Sequence, residues 1–518
     1  MTTTMRKTFR LFISLIVALT SLVAAQPAAA VTNYTITVVA TGGAAENSSW
    51  TYANGEIIPS ATVSINAADI VAKLANGPLV LNADRILVNT SIVSSTANAL
   101  TFKSTGNIIV GGGLTIQSQG GDLIFNSDSD ANNTGHVRFG WDATCAMGYI
   151  TSNGGDIVVG GGANPLTTAT ATQNNDPAST GCPGGTPPIA GVGFYNYTMN
   201  AGGGDISVRG GSPNLGALST RAINIGGSGG LVPTFQTSGS GSISIYGDGS
   251  QITHNNAWGI ATGAFNCTTV SGAITIEGRG NPSGPTNARG MSIGGAATLT
   301  SATGNISIID RTSGAQAGYT GINLGAAITV TTNGDFAASA DEITQGGALT
   351  LDVNNATIGA YSTSSFTAVY STGVINAASS NSLRIGSPGN TSAITLSGAV
   401  TSGGPITVEA ATVTINAALT ASNSVVTLLT SGGVTQNSTI TASTLNLAGT
   451  ATYNAQTFTV SGGSAQVVFV ATFESQGGSA VSSVVFASGG SFTLPSPPIY
   501  AGYEFIGWYA TASGGTAL

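Results

Sequence analysis

The 518-residue chain has 74 glycines, 41% hydrophobic residues and only 7% charged residues. Disordered chains are highly charged and poor in apolar residues, so disorder is excluded. The glycine share, with few aromatics and many Ile, Val and Thr, suits thin β structure with tight turns better than a thick globular core.

The first elements lie in residues 1–30. Arg6, Lys7 and Arg10 precede the apolar run "LFISLIVALTSLVAA", and "PAAA" offers small residues for cleavage after Ala30. This is the pattern of an export signal, and the run is short for a membrane anchor. No second such run follows. The sequence therefore predicts a secreted or extracellular, cell-wall-associated protein with no membrane insertion after signal removal. Beyond residue 30, ten Lys and Arg face 21 Asp and Glu, a net charge of −11. That balance argues against nucleic acid as a partner.

Residues 31–105 read as N-terminal strands with one short helix. Asn66 is placed to cap it, Ile70, Val71 and Leu74 share a face, and Gly77 ends it. Such a helix would cover the open edge of the first coil.

Residues 106–345 hold a repeat. "GNIIV" at Gly106, "GDLIF" at Gly121, "GDIVV" at Gly155, "GDISV" at Gly204, "GSISI" at Gly241, "GAITI" at Gly272, "GNISI" at Gly304 and "GDFAA" at Gly334 follow one pattern. The spacing is uneven as far as Gly241. From there the period is nearly regular, at about 30 residues, within the range of solenoid repeats. Two further elements recur in each full period. The first is "AINIGG", "GIATGA", "GMSIGGA" and "GINLGAA". The second is "CTTVS", "ATLTSA" and "ITVTTN". One period thus reads strand, variable loop, strand, corner, strand, which is one coil of a β-solenoid. Ile206 and Val208 should face the core, with Asp205, Ser207 and Arg209 outward. Glycines at the corners are expected to supply positive φ.

Residues 346–465 form a less regular continuation, with strands such as "PITVEAATVTINAAL". The aromatic residues then concentrate in 467–518, enough for a small core of its own.

Two resemblances follow from these stretches. "LVLNADRILVNTSI", "ALTFKSTGNIIVGGGLTIQSQGGDLIF" and "GGVTQNSTITASTLNLAG" resemble the large bacterial β-strand-repeat surface proteins. Those are similar to filamentous haemagglutinin-type adhesins, which implies an all-β, right-handed parallel β-helix over about 60–460. In the C-terminal segment, Thr472-Phe473, Gly477-Gly478, Pro495, Pro498, Gly502-Tyr503, Phe505, Gly507-Trp508-Tyr509 and Gly515-Thr516 fall in order. This segment resembles the Listeria–Bacteroides (internalin B-type) repeat, which implies a small β-grasp-like module acting as spacer or interaction unit. The family pattern continues with further strands where this chain stops at Leu518, so the module is expected to be truncated.

Candidate chemistry is sparse. A phosphate loop at Gly203–Gly211 fails because no Gly-Lys dipeptide exists and no helix follows. Catalytic residues and cofactors are therefore not assigned, and the protein is read as a non-enzyme. A β-helix polysaccharide lyase or glycosidase is the alternative. It needs paired carboxylates or a carboxylate-bound calcium with a base. The best cluster is Asp128, Asp130, His136, Arg138 and Asp142, expected to be a solvated loop. The stretch from Asp128 mimics a calcium loop at Asp128, Asp130 and Asn132 but lacks its glycine and final acid. The metal candidate more specific to the fold is calcium on Asp122, Asp156 and Asp205, which hold one place in three coils. Otherwise each of these carboxylates bonds its local turn.

Cys145 and Cys182 fall in neighbouring loop-like segments and are paired as a disulfide, leaving Cys267 odd. Thr298, Thr300, Thr329 and Thr331 suggest a Thr-x-Thr array of the kind that binds ice, although their spacing from the next glycine slips by one residue. The leading reading is an adhesin-like surface protein. Its variable loops, especially 125–150 and 160–190, would meet a glycan, a matrix or a neighbouring cell surface.

Overall fold

The computed structural model describes residues 33–510, except 141–145, 171–188, 212–219, 253–256, 284–286, 313–318, 362–364 and 450–456 and short breaks beyond 471. The expected signal segment lies outside these residues. The architecture is a parallel β-solenoid whose coils each place one strand on three sheets. In one coil, Ile243–Asp248 lies on the first sheet, Trp258–Thr262 on the second and Phe265–Thr269 on the third. The next coil begins with Ile274–Arg279, which pairs in parallel with Ile243–Asp248.

Stacking turns the alternation of the sequence into continuous apolar columns. On the first sheet Leu100, Leu123, Ile157, Ile206, Ile243, Ile274, Ile306 and Phe336 are successive register partners. All are buried. A single coil leaves these side chains wet, and stacking removes them from water at about 1.5–3 kcal/mol each. Aromatic rings pack in the interior of the N-terminal coils. Phe102 stacks on Phe125 at 4.9 Å, Phe125 meets Phe139 edge-on at 5.0 Å, and Phe139 stacks on Phe194 at 5.1 Å.

The "GNIIV" segment is placed differently from its sequence reading. Ile108–Val110 belongs to the second sheet, and the first-sheet strand of that coil is Leu100–Ser104. The short interval from Gly106 to Gly121 is thus less than a full coil, running from the second sheet to the first-sheet strand of the next coil.

Glycines at these corners do supply positive φ, at Gly120, Gly154, Gly202 and Gly239. The motif glycines Gly204, Gly241, Gly272 and Gly304 have no positive φ and act differently. A Cβ on Gly272 would lie 1.9 Å from the Gly241 carbonyl oxygen, and one on Gly304 would lie 2.0 Å from that of Gly272. They are required because stacked corners approach backbone to backbone. Inward hydroxyls then satisfy the corner carbonyls: Thr269 donates to Gly272 O at 2.7 Å and Thr332 to Gly304 O at 2.7 Å. Buried carbonyls without such donors would cost stability.

The N-terminal end is closed by the helix Ala67–Leu74 and a hairpin. Ile70 and Leu74 are buried and the helix packs against Ile92–Val93 of the third sheet. Asn66 occupies the N-cap position but makes no side-chain cap. Its Oδ1 accepts the Gly43 N–H at 2.8 Å, and its Nδ2 donates to Asp69 at 3.2 Å. The hairpin Trp50–Ala53/Glu56–Pro59 turns through Asn54 and Gly55, both at positive φ, and lies over the first sheet's end.

At the other end the coils tighten. From Leu383 the first-sheet partners are Ile406, Val426, Leu445 and Ala465, which lie closer together in sequence than Ile243, Ile274 and Ile306 do. The strand Ser464–Ala471 pairs in parallel with the solenoid at Ser464–Val467. It then pairs antiparallel with Val484–Ala487. The C-terminal module therefore grows out of the last coil. Its aromatic cluster includes Phe473 and Trp508, 4.9 Å apart.

Candidate functional site

Three of the sequence candidates are placed within the coil stack. Asp122, Asp156 and Asp205 do align, and each carboxylate reaches the following coil. Asp122 Oδ1 accepts the Asp156 N–H at 2.9 Å, Asp156 Oδ1 accepts that of Asp205 at 2.8 Å, and Asp205 Oδ1 accepts that of Ser242 at 2.7 Å. The bond thus runs to the neighbouring coil instead of the local turn. Farther along, Asn305 does the same for Asp335 at 2.9 Å.

The cluster near residue 130 is less solvated than its sequence implied. Asp128, His136 and Arg138 are buried, while Asp130 is exposed and Asp142 lies outside the described residues. Neither ring nitrogen of His136 has a hydrogen-bond partner, and burial together with Arg138 and Arg85 pushes its pKa well down. The ring is therefore neutral. Burial raises the Asp128 carboxyl to about 6. The calcium-loop mimic is closed on itself, with Asn132 bonding Asp130 at 2.8 Å and Thr134 N–H at 2.8 Å.

The threonines stand in direct register, Thr298 on Thr329 and Thr300 on Thr331, so the expected slip is absent. Corner residues, not strand residues, absorb the difference in spacing. The flanking rungs are Asn266 with Thr268 and Thr350 with Asp352.

Gly203–Gly211 is a solenoid rung. Ile206 and Val208 are buried and Asp205 is exposed, as their alternation required. Gly210 and Gly211 are not a corner, because the strand runs through both. A Cβ on Gly210 would lie 2.3 Å from the Ala222 carbonyl oxygen of the second sheet. Cys267 is a buried free thiol between Phe235 and Leu299 in the third-sheet column, and burial pushes its pKa up. Cys145 and Cys182 lie outside the described residues.

The most concentrated polar chemistry was missed by the sequence reading. On the outer face of the first sheet Arg209, Tyr246 and Glu277 are successive register partners, as are Asp248 and Arg279. The Arg209 guanidinium lies over the Tyr246 ring at 5.3 Å, and the Tyr246 hydroxyl donates to Asp248 at 3.1 Å. Arg279 stands 3.8 Å from Asp248, and Arg311 Nε pairs with Glu277 at 2.8 Å. Burial raises the Glu277 carboxyl, against which Arg311 and then Arg209 act. Burial and the neighbouring Asp248 push the Tyr246 phenol up to about 12, so it remains a donor. Aligning "ISVRGG", "ISIYGD" and "ITIEGR" by their core positions would have exposed this network.

On the second sheet the Trp258 ring is sandwiched by Arg221 at 4.8 Å and Arg289 at 5.2 Å. Both guanidinium groups also bond their own strands, at Asn224 and Ser292. With both ring faces covered, this ladder clamps three coils together. Beside it, Asp310 is buried with Thr312 and Tyr319, whose hydroxyls donate to its Oδ1 at 2.7 and 2.9 Å. Burial raises its carboxyl to about 7.

No group of three or more His, Cys, Asp or Glu side chains is arranged to hold a metal among the described residues. No helix among them is long and apolar enough to cross a membrane. Residues 469–518 match the family model of the Listeria-Bacteroides repeat domain, a repeat found in surface proteins. No curated protein and no solved structure matches the chain.

Proposed function

We propose that the protein is an exported, non-catalytic surface protein of the adhesin type, in which the solenoid is a stalk and one corner carries the binding determinants. The observation behind this reading is the position of the long connections. Between first and second sheets the chain takes the excursions Gly211 to Thr220, Asp248 to Trp258, Arg279 to Arg289 and Asp310 to Thr320. Turns from third to first sheet are short, such as Thr269 to Ile274 and Ser301 to Ile306. One edge of the rod thus accumulates variable surface, which is where binding residues sit on rigid scaffolds. The C-terminal repeat supports the same surface role.

The intended partner is a glycan, a matrix or a neighbouring cell surface. An enzyme of the polysaccharide-cleaving type is the competing reading. The acids of the network, Asp248 and Glu277, each face an arginine, which suits recognition better than acid–base turnover. A glycan array with the chain from residue 31, followed by a cleavage assay on each glycan bound, tests both. Binding without products supports the proposal, and products overturn it. Ice binding is a second reading, resting on the direct register of the Thr-x-Thr pairs; thermal hysteresis in solution tests it.

A further inference from the structure

We infer that the outer face of the first sheet between residues 206 and 311 binds an acidic glycan, one whose sugars carry uronic-acid carboxylates. This rests on the adhesin reading and extends its binding surface from that corner onto the adjoining sheet face, where Arg279 and Arg311 stand at the strand ends that enter the long connections.

The first ground is where the cations lie. Of the ten Lys and Arg beyond residue 30, Arg209, Arg221, Arg279, Arg289 and Arg311 fall in one stretch of an otherwise acidic chain. Arg221 and Arg289 are committed to the Trp258 sandwich. The other three converge on one outer face, around Tyr246 and Glu277.

The second ground is unspent hydrogen-bonding capacity. Arg209 lays its guanidinium over the Tyr246 ring, and because its Nε is buried a ligand would meet only its terminal nitrogens. Arg279 meets Asp248 only at 3.8 Å, beyond hydrogen-bond range, and its side chain is 47% exposed. Arg311 uses Nε on Glu277 and is 54% exposed, so its terminal nitrogens face outward. A guanidinium carries five donors in a fork that matches a carboxylate.

The third ground is shape. Beside the column of Arg209, Tyr246 and Glu277 runs a column of small hydroxyl residues, Ser207, Ser244, Thr275 and Ser307, in direct register. Tall side chains next to short ones make a shallow trough along the solenoid axis. Its floor offers hydroxyls, one wall offers cations, and Asp248 and Glu277 supply acceptors for sugar hydroxyls. Those carboxylates favour a glycan over DNA because they accept from the hydroxyls that every sugar carries and that a DNA phosphate backbone lacks. A neutral glycan would leave the arginines unused.

The test uses the chain from residue 31 and titrates a galacturonic-acid tetrasaccharide, its methyl ester and a single-stranded oligonucleotide of equal charge. The acid should bind and the ester should bind at least about tenfold more weakly, the scale of one charge-assisted hydrogen bond. Arg279→Gln and Arg209→Gln should each weaken the acid by a similar factor, while Lys103→Gln on the same sheet outside the network leaves it unchanged. Equal binding of acid and ester, no binding of either, or no effect of the two arginine variants overturns the inference. Oligonucleotide binding as tight as the acid's overturns it in favour of a nucleic-acid site. Array binding to other glycans with none to the tetrasaccharide sinks the inference alone. Tetrasaccharide cleavage sinks the non-catalytic reading while leaving the site in place.

Discussion

Asp156→Asn and Asp156→Ala should differ in sign or size, and the structure says why. Asp156 accepts the Asp205 N–H at 2.8 Å and lies one coil from both Asp122 and Asp205. With coils ~4.8 Å apart, two carboxylates at that spacing repel by ~0.9 kcal/mol in water. Two neighbours and physiological salt leave about 1 kcal/mol of repulsion to be relieved. Asparagine relieves it and keeps an acceptor, losing only the charge assistance of the bond, again about 1 kcal/mol. The net change should lie within about 0.5 kcal/mol of zero. Alanine relieves the same repulsion but loses the whole bond, worth about 1.5–3 kcal/mol, so it should destabilise by about 0.5–2 kcal/mol. Hydrogen exchange of the peptide carrying the Asp205 amide reads this directly. Alanine should speed exchange about 2–30-fold, asparagine hardly at all. Raising salt should make both variants look worse against the parent, because it removes the repulsion that they relieve. If asparagine costs as much as alanine, the clamp argument fails. If millimolar calcium raises the melting temperature of the parent but not of Asp156→Asn, the column is a cation site.

Three other outcomes follow from buried groups. Phe139→Ala should cost about 3–5 kcal/mol in urea unfolding, since its ring is fully buried and packs on Phe125, Phe194 and Tyr197; a loss below about 1.5 kcal/mol would contradict the stacked core. Asp310 has a folded pKa of about 7, above its unfolded value, so the folded state holds a proton that the unfolded state has lost. Its contribution is fully present below the unfolded pKa and is lost as pH rises through about 7. Melting curves from pH 5 to 8 should therefore fall less steeply for Asp310→Asn than for the parent, and parallel slopes would refute this. The Cys267 thiol should resist a maleimide in the native protein and react once unfolded, as read by mass; rapid native labelling of Cys267 would contradict its place between Phe235 and Leu299.

The solenoid was legible because its signal is repetition. Core positions such as Ile243, Ile274 and Ile306 recur at fixed places in each period, and parallel stacking makes each recurrence a contact. What escaped was information carried by the third dimension. Gly106 matched the motif locally, yet its strand lies on another sheet, a distinction that only the hydrogen-bonded partner decides. The role of Gly272 depends on the Gly241 carbonyl, a whole coil earlier in the sequence. Asn66 sat in the right place for a cap, but the Gly43 amide took its oxygen instead. The Arg209–Glu277 network was hidden because each coil contributes only one or two members, so no short motif contains it.

The stacking rule also explains why only 7% of the residues are charged. Every outward side chain in a parallel solenoid stands on the corresponding side chain of the next coil, ~4.8 Å away. A charge repeated from coil to coil would repel itself along the whole rod, so a regular stack selects neutral outward residues. The tight C-terminal coils obey this strictly: between Glu409 and Glu474 there is no Asp, Glu, Lys or Arg. Their outward columns are Thr and Asn, such as Thr401, Thr420 and Thr441. The Asp122–Asp205 column departs from the rule, and there each carboxylate is held by a backbone donor. The Arg209–Arg311 face departs from it in the other way, by alternating sign, with Asp248 on Arg279 in register and Glu277 beside Arg311. Opposed charges are thus held in the coils of the Arg209–Arg311 face, and the tight coils beyond Glu409 are neutral.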